Sequence, residues 1–241
     1  MTKKAEPLKE KIAEMKTIVY KTIVDPSTVK LIGEKEKGKL FSKMGLLKPK
    51  PEEIQSEPLE TLYNPFYTID GKYLVDYYRK RVYKLDVEEE VSELVVFNHV
   101  LKPERPRLPK LREKPQEVEL ETEQRIIKEN SLYMVLDRKG REVSVEELPA
   151  APAEEEPERI LAEAGEKVWK LETSPEKAIE ILKSQVVDRP KDAARITKEL
   201  FEVSDFTIVY VPIYQATYKN VKTEESKTIL VNGVTSKLVE T

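Results

Sequence analysis

The sequence predicts an α+β protein built from two related antiparallel β-meander modules with packed helices and an extended basic N-terminal arm. Three observations predict it. Runs of β-branched and aromatic residues concentrate near residues 59–100 and 206–241. A Tyr-x-Pro-hydrophobic-Tyr pattern occurs in both stretches, as Tyr63-Asn-Pro-Phe-Tyr67 and Tyr210-Val-Pro-Ile-Tyr214. The first 50 residues hold 13 lysines against 6 acidic residues in a chain whose net charge is -3, so positive charge is collected at one end.

Leu8, Ile12, Met15 and Ile18 or Val19 recur at helical spacing and predict an amphipathic helix over residues 6–17, although Thr17–Val24 is dense in strand formers. The glycine- and charge-rich run 33–39 and the Lys-Pro-Lys-Pro end of 44–51 predict a mobile loop or arm. Residues 1–58 are therefore read as the arm. The first β-rich module and a proline-rich connector occupy 59–117, with Asp70-Gly71 as a turn signal and a further strand at 91–100. Four prolines within 102–117 exclude a helix interior or a central strand.

A short helix over 119–128, a strand pair joined at Arg138–Gly140 and an acidic linker make up 118–157. The last module, 158–241, opens its main helix on Ser174-Pro175, an N-cap followed by a proline in the first turn. A second helix at 191–200 precedes strands at 206–218, 227–231 and 237–239, with Asn232-Gly233 as a turn.

Composition bounds the chemistry. The chain has no cysteine and one histidine, His99, which removes disulfides, thiolate metal sites, cysteine nucleophiles and two-histidine mechanisms. No nucleotide-binding glycine loop, GxSxG elbow or EF-hand loop occurs. No cofactor, metal or catalytic residue is expected, and the reading is non-enzymatic. No apolar stretch long enough for a membrane helix is present, and Lys11, Glu14 and Lys16 interrupt any signal-peptide core; a cytoplasmic protein is expected. The Lys/Glu bias with few glycines has a thermophile-like cast.

The segment Ser174-Pro-Glu-Lys-Ala-Ile-Glu-Ile-Leu182, a strand pair and the ending Ile229-Leu-Val-Asn-Gly-Val-Thr-Ser-Lys-Leu-Val239 together resemble the small PepSY-type module. At most about 70 residues are covered, and Asn232 and Ser236 depart from the commoner residues. The resemblance implies a helix on a meander and an accessory or inhibitory role.

The expected function is that of an interaction or scaffold protein, binding a protein partner or itself through strand edges and aromatic patches. Tyrosines two positions either side of each strand proline share a face. The candidate partner-binding residues are Tyr63, Phe66, Tyr67 and Tyr73 in the first module and Tyr210, Tyr214 and Tyr218 in the last. The lysine-rich arm, through phosphate contacts, and Arg79, Lys80 and Arg81 beside Tyr77, Tyr78 and Tyr83, through base stacking, support the alternative of a protein associated with RNA, DNA or the ribosome. An unrecognised enzyme is the remaining alternative.

Overall fold

A computed structural model describes residues 8–41, 50–104, 116–148 and 150–239. The fold is α+β, with one large mixed sheet, a small antiparallel sheet and scattered helices. In chain order the strands are β1 (Lys9–Ile12), β2 (Met15–Val19), β3 (Ile54–Ser56), β4 (Glu60–Val87), β5 (Leu94–Val96), β6 (His99–Leu101), β7 (Gln116–Leu136), β8 (Glu142–Val143), β9 (Arg195–Asn220) and β10 (Ser226–Asn232). The helices are α1 (Pro26–Leu40), α2 (Pro157–Ala164) and α3 (Pro175–Val186). The large sheet runs β1-β9-β4-β7-β8, with β2, β3 and β10 also paired to β9; β5 and β6 form the small sheet.

The described residues divide into two compact units. Of the described residues, one draws on 8–11, 72–104, 116–130 and 187–202, the other on 12–41, 50–71, 131–148, 150–186 and 203–239. Strands β4, β7 and β9 contribute residues to both.

In the larger unit β9 has a distinct cluster on each face. Tyr214, Ala216 and Tyr218 point to one face, where they meet Ile229 and Val231 of β10, Ile54 of β3, and Val29 and Phe41 from α1 and its end. Val209, Val211 and Ile213 point to the other and pack with Leu62, Val135, Leu148 and Leu230. This is the period of two expected of a strand, with both faces covered. Helix α1 is set by Asp25, whose carboxylate accepts the Ser27 N–H at 2.7 Å, and by Pro26 in the first turn.

In the smaller unit buried polar groups are paired. Glu199 accepts from the Tyr73 hydroxyl at 2.8 Å and from the Arg189 guanidinium at 2.6 Å. Asp76 receives a two-pronged contact from Arg125 at 3.0 and 2.6 Å. That guanidinium fork holds the Asp76 carboxyl below the usual carboxylate range.

Several expectations are corrected. Residues 9–12 and 15–19 are strands, not an amphipathic helix; β2 lies parallel to β9, with Val19 opposite Tyr210. The β-branched run pairs with the sheet, and that pairing overrides the helical spacing. The run 33–39 lies inside α1 rather than in a mobile arm, and Gly33 sits against the Tyr218 side chain. Asp70-Gly71 sits within β4, so no hairpin forms there. The motifs of Tyr63 and Tyr210 lie on neighbouring strands of one sheet, not in two separate meanders. Residues 119–128 belong to β7, where apolar and charged residues alternate, and the helix expected at 191–200 is replaced by the start of β9. The strand read at 91–100 is the β5–β6 hairpin. Residues 42–49 of the arm and 105–115 of the connector lie outside the described residues.

Other elements match the expectation. Ser174 Oγ accepts the Lys177 N–H at 3.3 Å at the start of α3, β7 and β8 pair across the Arg138–Gly140 turn, and β10 pairs with the end of β9.

A methyl group on Gly33 would meet the Tyr218 hydroxyl oxygen at 1.8 Å and its ring at 2.8 Å, whereas one on Gly38 would meet nothing within 4 Å. The same substitution in one helix therefore carries opposite signs. Gly33→Ala should cost roughly 1–3 kcal/mol through overpacking. Gly38→Ala should gain roughly 0.4–1 kcal/mol by restricting the unfolded chain. Chemical denaturation of the two variants checks both.

Candidate functional site

The aromatic candidates are largely core. Tyr67, Tyr73, Tyr214 and Tyr218 are buried, and Tyr63, Phe66 and Tyr210 are half-buried. Tyr67 stacks on Phe206 with ring centroids 5.6 Å apart and donates to the Thr173 carbonyl at 2.9 Å. Tyr214 donates to the Val24 carbonyl at 3.1 Å. Burial pushes the phenols of Tyr63, Tyr67, Tyr73, Tyr210, Tyr214 and Tyr218 above their ordinary value. Such tyrosines hold the sheet together; Phe66 of the set also lines a cavity.

The basic cluster is partly committed. Arg79 donates to Gln124 at 3.0 Å and pairs with Asp192 at 3.3 Å. Tyr77 is buried, and Tyr78 lies under the Arg195 guanidinium, 4.2 Å from the ring centroid. Lys80, Arg81 and Tyr83 are exposed. Both oxygens of the buried Glu199 are occupied by Tyr73 and Arg189, which makes that trio a satisfied structural network. Among the described residues no group of three or more histidine, aspartate or glutamate side chains is arranged to hold a metal. No helix of the described residues is long and apolar enough to cross a membrane.

The larger unit contains a cavity of about 480 Å³ that sequence reasoning missed. Its apolar wall comes from Phe66 on β4, Val143 on β8, Ile213 on β9 and the half-buried Trp169. All four also belong to the second face cluster of β9 or pack against it, so the cavity is an opening in the core's own edge. Arg138, Lys139, Arg141 and Lys237 supply cations around it, against the carboxylates of Asp137, Glu146 and Glu147. Arg138 lies over the Trp169 ring at 5.1 Å and pairs with Glu172 at 2.9 Å.

The turn that carries Arg138 and Lys139 is held by Asp137. Its carboxylate accepts the backbone N–H groups of Lys139 and Arg141, both at 2.9 Å, and the Arg141 guanidinium at 2.7 Å. Gly140 completes the turn at φ 77°. Burial by itself would raise the Asp137 pKa, but the hydrogen bonds from Arg141 and Lys139 outweigh it and hold the carboxyl below its ordinary range. Next to this turn the Asn64 side-chain oxygen is buried without a hydrogen-bond partner, the one such side-chain atom among the described residues. Asn64 is among the residues that line the cavity, and an unmade bond to a buried acceptor costs roughly 1–3 kcal/mol.

A second feature lies in the smaller unit. The β5–β6 hairpin pairs Leu94 with Leu101, Val95 with Val100 and Val96 with His99, leaving Phe97-Asn98 at its tip. Both tip residues have positive φ, 48° and 65°, as a tight primed turn requires. Asparagine tolerates that conformation; an unbranched aromatic there costs on the order of 1–3 kcal/mol. Phe97 is 93% exposed, so no packing within the fold offsets the cost. Val95 and Val100 beside it are 64% and 55% exposed. His99 is exposed on β6.

Because Asp137 is held below its unfolded pKa, its contribution is complete above about pH 4 and lost as pH falls through the folded value. Trp169 emission should therefore stay flat near neutrality and change in acid, with an acid step that Asp137→Asn removes; at pH 7 that variant should be less stable by about 1.5 kcal/mol. A pH titration of fluorescence and a denaturation curve check the two effects. Comparison with protein-family models, with curated proteins and with solved structures finds no match to this chain.

Proposed function

We propose that this chain is a non-enzymatic interaction protein that captures an extended segment of a protein partner in the Trp169 cavity. The observation that carries the reading is the aromatic and aliphatic wall of Phe66, Ile213 and Trp169, with the ammonium groups of Lys139 and Lys237 among the residues around it. A peptide supplies what suits that space: an apolar side chain for the wall and a carboxylate for Lys139 and Lys237 at the edge. The strand-edge and aromatic-patch version of this role is narrowed accordingly, since most of those tyrosines are buried. For nucleic-acid binding, Lys80, Arg81 and Tyr83 of the basic cluster are exposed, as are Lys9, Lys11, Lys16 and Lys30 of the N-terminal segment.

Trp169 is the single tryptophan, so its fluorescence reports on the cavity directly. Titration with a short peptide carrying phenylalanine flanked by glutamates should shift its emission and bind more tightly than the same peptide flanked by lysines. Arg138→Glu should weaken the acidic probe by about tenfold, equivalent to roughly 1.4 kcal/mol. Equal responses to both peptides, or tighter binding of a single-stranded oligonucleotide than of either, would overturn the reading.

A further inference from the structure

We propose that the Phe97 hairpin of one copy docks in the Trp169 cavity of a second copy, so that the chain associates head to tail with itself. The inference rests on the reading of the cavity as a peptide site and names its occupant. Phe97 stands in a conformation that disfavours it, with almost its whole surface in solvent, and Val95 and Val100 extend the apolar tip. Strain without an internal return is what a residue held for an external contact would show.

Charge selects the occupant. Glu88, Glu89, Glu90 and Glu93 precede the tip within ten residues, with Lys102 paired to Glu93 at 3.9 Å behind it. Two such hairpins would repel each other tip to tip, and an anionic lipid surface would repel them too. Around the aromatic and aliphatic wall of the cavity, the cations Arg138, Lys139, Arg141 and Lys237 outnumber the carboxylates Asp137, Glu146 and Glu147. Its volume of about 480 Å³ exceeds what one phenylalanine side chain fills, which leaves room for part of the turn beside the ring. The contact is heterologous, using a different patch on each copy.

Sedimentation equilibrium of the full chain over a wide concentration range is the test. The wild type should gain mass with concentration, and Phe97→Gly and Arg138→Glu should each remain monomeric. Mixed in equal amounts, the two variants should form a one-to-one complex, because each supplies the half that the other lacks. Phe97→Gly should melt no lower than the wild type, since glycine suits the turn; a structural role for Phe97 would lower it. The chain contains no cysteine, so Phe97→Cys mixed with Leu238→Cys should give a single mixed disulfide under mild oxidation. A wild type that stays monomeric at all concentrations, or a variant mixture that does, overturns the proposal. So does association that survives Arg138→Glu, which would indicate tip-to-tip contact. Acidic-peptide binding with no self-association would leave the cavity reading standing and remove this one; self-association through the hairpin without peptide binding would do the reverse.

Discussion

The middle of β9 is apolar in consecutive positions, and both of its faces have to be kept from water. Phe206, Ile208, Val209, Val211, Ile213 and Tyr214 are all buried, each worth about 1.5–3 kcal/mol if removed from solvent. A strand with that content has to be covered above and below and paired along its length. β2, β10 and β3 take successive parts of its hydrogen-bonding potential. Helix α1 closes one face, and the cluster of Leu62, Val135, Leu148 and Leu230 fills the other.

The cavity is a by-product of that second face. Ile213 is the last of the inward residues before β9 meets the Asn232-Gly233 turn, where the Gly233 N–H reaches the Pro212 carbonyl at 2.8 Å. Asn232 folds its own side chain back onto the N–H groups of Val234 and Thr235. Across from it the Asp137 turn is tied down by three hydrogen bonds to one carboxylate. Two rigid turns therefore border a gap that the surrounding side chains do not fill. Binding groups set on such turns lose little freedom when a ligand arrives.

What could be read in advance was local. The Ser174-Pro175 cap, the Arg138–Gly140 turn and the β10 strand depend on residues near one another in sequence, and each stands where the pattern put it. The long strands were not legible in the same way. In β7 the alternation Glu117-Val118-Glu119-Leu120-Glu121 is a strand signal, but a charge-rich stretch also suits a helix. In β4 the Asp70-Gly71 pair signals a hairpin that the paired neighbours on either side do not permit. The aromatic candidates were correctly placed on strands, yet their exposure depends on α1 and on the loop bearing Thr173, both remote in sequence. The cavity gathers residues from Asn64 to Val239, and the only local hint of it was a lone tryptophan.

The close approach of α1 to the sheet makes positions 33 and 218 a single unit of heredity. With tyrosine at 218 only glycine fits at 33, and a side chain at 33 becomes tolerable only after the ring at 218 has been replaced by something shorter. The order of change is fixed: the sheet residue must shrink first, or the lineage passes through a destabilised intermediate. Sequences that descend from this one should therefore keep the glycine and the tyrosine together or lose the tyrosine before the glycine.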